Sequence, residues 1–275
     1  MNGIDCVARL DTTGVQNLKK LGNLAIGRYL GYTLGWPKSL TPDEVKVVHD
    51  AGLAIFLIWE SNPTSAGYFS YDKGVADAKQ AITEAGFLNV PSGTAIYFTV
   101  DFDAQAGDMA VIQDYFRGVR DGLSGQYLTG IYGSFSVMKT IQADRYFQTY
   151  AWSAGQVAPN HIYQYNNNVS LAGILVDQDY VNNDAGLWKG SADMGLNVAV
   201  LLYTKEDFWS GYDVAVKNGN CALFVRPDDH SVPKDAMSAA QLIVVGGSTT
   251  GHPNEVLLSG TDKYGTAAAV KKYLG

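Results

Sequence analysis

The sequence predicts an α/β protein: an irregular (β/α) TIM-like barrel of about eight strands and five helices, followed by a small C-terminal α/β domain. Three observations carry this. Short apolar runs alternate with helical runs through the first two-thirds of the chain. The spacing between the last of those runs is too tight for helices. The periodicity then lapses in a Gly/Asp/Asn-rich segment at 182–196, before a second alternating stretch begins. A chain of 275 residues is too long for one small domain and suits a barrel with an appendage.

Barrel strands are expected at 3–8, 25–31, 53–60, 94–103, 128–134, 149–154, 161–166 and 174–181. Each is short, apolar and often edged by Gly, as strands buried on both faces should be. The clearest helix starts at Thr41-Pro42-Asp43-Glu44, with Thr as N-cap, Pro at N1 and Glu closing a capping box, and stops at Gly52. Others are expected at 15–21, 73–85, 109–123 and 135–143. Between the sixth, seventh and eighth strands only short loops fit, whereas a parallel crossover needs about a dozen residues. The end of the barrel must therefore leave the regular (β/α)₈ plan.

The barrel is assigned to 1–188 and the second domain to 197–275. In the latter, strands are expected at 198–204, 222–226, 241–246 and 255–258, with helices at 206–218 and 262–274, a three-layer arrangement.

Composition narrows the function. A net charge of −7 without a Lys/Arg-rich run argues against a nucleic-acid partner. No apolar stretch is long enough to span a bilayer, so no membrane partner is expected. The start, Met1-Asn2-Gly3-Ile4-Asp5, shows no signal peptide, and synthesis in a reducing cytoplasm is expected. Cys6 and Cys221 lie far apart and read as buried free thiols. The 17 tyrosines offer flat rings with hydroxyls, which suit sugar-like ligands as well as strand packing.

Strand ends in a parallel barrel line its active-site mouth, and here they carry acids. Strand one has Asp5, strand three ends at Glu60, strand four ends with Asp101 and Asp103, and strand eight carries Asp177 and Asp179. Period-two alternation puts Asp101 with Asp103, and Asp177 with Asp179, on one face. Clustered acids push some pKa values up, so that a protonated donor stands beside an ionised partner, as glycoside hydrolysis requires. Structural uses compete: Asp5 could bond loop amides, and Asp177 could pair with Arg28. A divalent-metal site is another use of such a cluster, although nothing demands it, and no metal or cofactor is expected. Tyr132, Trp152 and Gln164 mark the same rim as sugar-binding candidates. No Walker loop, G-x-S-x-G elbow or G-x-G-x-x-G is present. The Gly246-Gly247-Ser248 turn could cradle a phosphate, or be a plain strand-end turn.

Gly3-Ile4-Asp5, Val100-Asp101-Phe102-Asp103, Gly130-Ile131-Tyr132, the Trp152 segment, Tyr163-Gln164-Tyr165 and Val176-Asp177 occur in that order. The set, over about 1–190, resembles the glycoside-hydrolase-like domain family related to the family 25 lysozymes. The resemblance implies a lysozyme-like barrel acting on peptidoglycan, as in phage endolysins. Family 25 lysozymes carry Asp-x-Glu on strand four with Glu as proton donor, and Asp103 stands at that place here. The acid is then Asp103 in a reshaped site or Glu60, with Asp101 or Asp5 stabilising the transition state. Otherwise the barrel binds glycan without cutting it. In the tail, Leu242-Ile243-Val244-Val245-Gly246-Gly247 and Gly260-Thr261-Asp262-Lys263-Tyr264-Gly265-Thr266-Ala267 resemble the cell-wall-binding repeat of Gram-positive surface proteins, with Lys263 where Arg is usual. That implies a cell-wall polysaccharide partner, and a homo-oligomer through this domain could supply further copies of the single repeat.

Overall fold

A computed structural model describes residues 1–31, 38–190 and 196–275. The chain forms two compact units, Met1–Gly190 and Ser191–Gly275. Among the described residues no helix is long and apolar enough to cross a membrane.

The first unit is a closed eight-stranded barrel in sequence order. Its strands are β1 (Asn2–Asp5), β2 (Asn23–Leu30), β3 (Ala54–Trp59), β4 (Ala95–Thr99), β5 (Leu128–Gly133), β6 (Arg145–Thr149), β7 (Ile162–Leu171) and β8 (Ile174–Val181). Among the described residues five α-helices accompany them: α1 (Thr12–Lys20), α2 (Pro42–Asp50), α3 (Tyr71–Phe87), α4 (Met109–Leu123) and α5 (Phe135–Thr140). The predicted irregular barrel is thus present, with the predicted number of strands and helices.

Strands β1 to β7 run parallel, while β8 runs antiparallel to both β7 and β1 and closes the barrel. The β7–β8 hairpin turns on Ala172 and Gly173, with φ of 51° and 81°, the left-handed pair a tight hairpin needs. Reversal of β8 matters for the site. It brings the first half of that strand, not its carboxyl end, to the mouth: Asp177 lies in register with Asp5 at the end of β1.

Every residue of β3 is buried because each face packs on something. Phe56 points into the barrel, where it meets Phe147 edge-on at 5.6 Å, and Tyr97 meets the same ring at 5.8 Å. Ile55, Leu57 and Trp59 face the helices. The interior is therefore packed with rings.

Local signals fix the helix starts. Asp11 caps α1 by accepting the Gly14 N–H at 2.7 Å, and Thr41 caps α2 through the Glu44 N–H at 3.3 Å. The expected capping box is not completed. The Glu44 side chain instead accepts the Leu10 N–H at 3.0 Å and Arg28 Nε at 2.7 Å. Arg28 is thereby committed to Glu44, and the pairing with Asp177 considered from the sequence does not form.

Strand one ends earlier than expected, at Asp5, and strand seven runs on to Leu171, while two further shifts bear on the site. The sixth strand is Arg145–Thr149, not 149–154, because Ala151–Ala154 turns with Trp152 and Ala154 at positive φ of 53° and 48°. The buried amide of Gln148 braces that turn by donating to Gln156 O at 2.7 Å and accepting the Ala158 N–H at 2.8 Å. Strand four ends at Thr99, short of Asp101 and Asp103, so period-two alternation does not govern those acids.

The second unit is a parallel sheet in the order β10-β9-β11-β12, with β9 (Val198–Leu202), β10 (Ala222–Val225), β11 (Gln241–Val245) and β12 (Glu255–Leu258). Helices α6 (Phe208–Lys217) and α8 (Lys263–Leu274) pack on one face, and the short α7 (Lys234–Met237) on the other.

Candidate active site

A cavity of about 210 Å³ opens at the mouth of the barrel. Asp5, Glu60, Asp101 and Asp177 contribute four carboxyl groups to its wall, together with Lys38, Tyr29, Tyr132, Thr99 and Gln164. The geometry follows from the strands. Asp5 ends β1, Glu60 and Asp101 follow β3 and β4, and Gln164 faces inward from β7 opposite Asp179.

Asp5 is the deepest acid that reaches the cavity, at 2% exposure. It accepts the Tyr29 hydroxyl at 2.6 Å on one oxygen and Gln164 Nε2 at 3.0 Å on the other. Burial, and then the charge of Asp177, push its carboxyl up to about 7 against the pull of those two donors. Asp177 accepts the second Gln164 amide hydrogen at 3.1 Å and the Asn168 N–H at 2.8 Å. Gln164 Oε1 in turn accepts the Tyr132 hydroxyl at 3.0 Å and Thr149 Oγ1 at 2.9 Å. One amide therefore has all four of its hydrogen-bonding positions filled and holds two acids side by side.

Across the cavity Glu60 is ion-paired with Lys38, whose ammonium also lies 4.1 Å from the Tyr29 ring centroid. Asp101 is positioned by its own backbone, whose N–H donates to Pro63 O at 3.1 Å. Its carboxyl makes no side-chain hydrogen bond among the described residues. Burial and the neighbouring Glu60 raise its pKa. The mouth thus holds an acid of raised pKa on one wall and a hydrogen-bonded acid pair on the other, the constituents of general acid–base chemistry.

Three sequence candidates lie elsewhere. Asp103 is exposed, on the turn after β4 where Ala104 N–H donates to Phe102 O, and does not line the cavity. Trp152 is 42% exposed on the turn after β6 and does not line it either. Asp179 is fully buried beneath the floor, in register with Gly3 and Gln164. Among the described residues neither of its oxygens has a hydrogen-bond partner, and burial followed by Asp5 and Asp177 holds its pKa well above the ordinary range. Sequence reading missed Tyr29, Lys38, Thr149 and Asn168. Tyr29 carried a signal, since it shares the inward face of β2 with Ala25 and Gly27. Lys38 lies in a loop and carried none. Among the described residues no group of three His, Cys, Asp or Glu side chains is arranged to hold a metal ion.

A second cavity, of about 360 Å³, shares Asp5, Tyr29 and Asp177 with the first and continues along Val7, Ala8 and Leu175. The acid pair therefore stands between a polar chamber and an apolar one.

The pattern of the Rv2525c-like, glycoside hydrolase-like domain family matches residues 16–182. The chain belongs to this family. Among curated proteins it is 31% identical to the uncharacterized protein YbfG of Bacillus subtilis (strain 168) over 222 residues, which is 74% of this chain and 28% of YbfG. It is 30% identical to the uncharacterized protein FadG of the same organism over 142 residues, 48% of this chain and 24% of FadG. The chain thus spans about a quarter of the length of the curated relatives it matches. The Tat-secreted protein Rv2525c of Mycobacterium tuberculosis, solved in complex with L-tartrate, superposes with a TM-score of 0.58 at 17% identity, covering 68% of this chain and 98% of that one. That likeness establishes the shared fold. The Rv2525c-like match runs from within α1 to the end of β8 and takes in every cavity acid except Asp5.

Proposed function

We propose that this glycoside-hydrolase-like barrel cleaves the glycan strands of Gram-positive peptidoglycan, in the manner of a lysozyme-like endolysin, and that the C-terminal unit holds it to the cell wall. The reading rests on one observation above the others: four carboxyl groups converge on one cavity, and Asp5 and Asp101 are held above the ordinary carboxylate range. Asp101 is the proton donor to the glycosidic oxygen, since its carboxyl is unbonded, raised in pKa and set on the cavity wall. The Asp5–Asp177 pair, fixed by Gln164, stabilises the positive charge that develops on the sugar ring. Tyr132 and Gln164 shape the floor, and Asp179 supports it from below. Joining the barrel to a wall-binding unit raises its local concentration on an insoluble substrate.

A second reading is a glycan-binding barrel that no longer cuts. It is favoured by the placement of Asp103. The residue at the position of the family 25 proton donor is exposed and outside the cavity.

Release of reducing sugar ends from purified Gram-positive peptidoglycan separates the two. Wild type should release them, and Asp101→Asn should cut the rate at least about a hundredfold. Asp5→Asn should also be impaired, while Asp103→Asn should match wild type. Sedimentation of wild type with walls from which it releases nothing would establish the binding reading instead.

A further inference from the structure

In the C-terminal unit β9 lies between β10 and β11. The chain leaves β9 through α6 to β10 on one side, then returns through α7, on the opposite face, to β11 on the other side. A parallel sheet whose winding reverses in this way opens a crevice at the carboxyl ends of its strands, where ligands of such sheets bind. At those ends the unit has a cavity of about 390 Å³ lined by Tyr203, Lys205, Arg226 and His230, among others.

Arg226, directly after β10, is only 9% exposed. Its Nη2 donates to Ser248 O at 2.8 Å and its Nη1 to His230 O at 3.5 Å, while Nε has no partner among the described residues. Its guanidinium lies 5.4 Å from the centroid of the Tyr203 ring, which stacks on His230 at 4.6 Å. Among the described residues no carboxylate forms an ion pair with it. The acids of the same cavity, Glu206 and Asp228, are exposed. Glu255, which is bonded to Thr250, meets its charge only from beyond ion-pair distance, so a nine-tenths buried cation whose own hydrogen bonds go to neutral carbonyls bears part of its desolvation cost unrelieved. An anion in the crevice would relieve it.

We propose that this crevice binds a phosphate-bearing ligand. Arg226 supplies the fixed charge, Lys205 at the rim a second one, and the Tyr203–His230 stack a flat wall for the group that bears the phosphate. The Gly246-Gly247-Ser248 turn flanks the site by fixing Arg226 through the Ser248 carbonyl. The site lies wholly in the C-terminal unit and stands whether or not the barrel cuts glycan.

The test is calorimetric titration of the full chain, at low ionic strength, with inorganic phosphate and separately with a poly(glycerol phosphate) chain. One saturable site per chain is expected, weakened at least about tenfold by Arg226→Gln and a few-fold by Lys205→Gln, and unchanged by Lys271→Gln on α8. Binding of inorganic phosphate marks a site for a free phosphate group. Binding of the polymer alone marks one for a phosphodiester chain. Absence of saturable binding for both probes, or binding untouched by both cavity variants, overturns the proposal. Should Arg226→Gln lose its folded circular dichroism spectrum, Lys205→Gln alone decides.

Discussion

Asp5 and Gln164 lie 159 positions apart in the chain, and their side chains meet at 3.0 Å in the floor of the barrel mouth. The same amide nitrogen reaches Asp177 at 3.1 Å, so Gln164 is the neutral clasp between two acids that would otherwise face each other across strands β1 and β8. Gln164→Leu keeps the bulk and removes the clasp. It strands the Tyr132 and Thr149 hydroxyls and the two carboxyls at once, and the expected loss is about 2–4 kcal/mol in urea unfolding. Gln164→Glu should cost at least as much at neutral pH, because a third carboxyl would enter the pair. If Gln164→Leu unfolds at the wild-type midpoint, the network contributes nothing to the fold.

Buried acids give the barrel a pH dependence whose sign can be worked out. Asp5 is raised from 3.8 to about 7, so between those values the folded protein holds a proton that the unfolded chain has released. Stability then falls as pH rises through that window, and the penalty is complete above the folded value. Asp179, Asp101 and Asp177, all raised, act in the same direction. Thermal unfolding should therefore show a higher midpoint near pH 5 than near pH 8. Asp179→Asn, which keeps the shape and removes one such acid, should raise the midpoint more at pH 8 than at pH 5. An equal gain at both values would mean that Asp179 does not titrate between the folded and unfolded states.

Much of this was legible in the sequence, and the failures are physically specific. Met109–Leu123 and Ile174–Val181 have the predicted bounds, because strong helical periodicity and a β-branched run bounded by turn residues leave little choice. The sequence pattern misplaces the sixth strand because Ala151–Ala154 looks apolar and Arg145–Thr149 looks polar. Gln148 and Thr149 are nevertheless fully buried, bonded to a turn and to Gln164 that only the closed barrel brings near. Strand alternation groups Asp103 with Asp101, but alternation stops where β4 does, at Thr99. The partnership of Asp5 with Asp177 was out of reach, since it depends on β8 running backwards.

Arg28 and Glu44 form a buried ion pair at 2.7 Å with side chains 0% and 1% exposed. Arg28 also donates to the Cys6 carbonyl, and Glu44 accepts the Leu10 N–H. The pair thus secures the segment after Asp5 that walls the apolar chamber. Glu44→Ala leaves a buried guanidinium without its counter-charge and should cost about 3–5 kcal/mol. The double change Arg28→Met with Glu44→Leu should cost less than Glu44→Ala alone, since no charge is then stranded. A double variant worse than the single one would show that the backbone contacts, rather than the charge pair, carry the stabilisation.

Helices α3 and α4 cross at glycines. A Cβ on Gly118 would stand 2.1 Å from the Tyr71 carbonyl oxygen, and one on Gly74 2.1 Å from that of Tyr115. Backbone cannot yield as a flexible side chain can, so Gly118→Ala must push the helices apart. The expected cost is about 1–3 kcal/mol, even though alanine is the better helix former by about 1 kcal/mol. Gly86, near the end of α3, provides the contrast, because a Cβ there meets nothing within 4 Å and its φ is not positive. Gly86→Ala should stabilise the protein by about 0.5–1 kcal/mol. Opposite signs for two identical substitutions in packed helices, read from urea midpoints, would establish that the crossing distance, and not helix propensity, selects glycine at 118. Stabilisation by both would mean that the two helices pack less tightly than 2.1 Å implies.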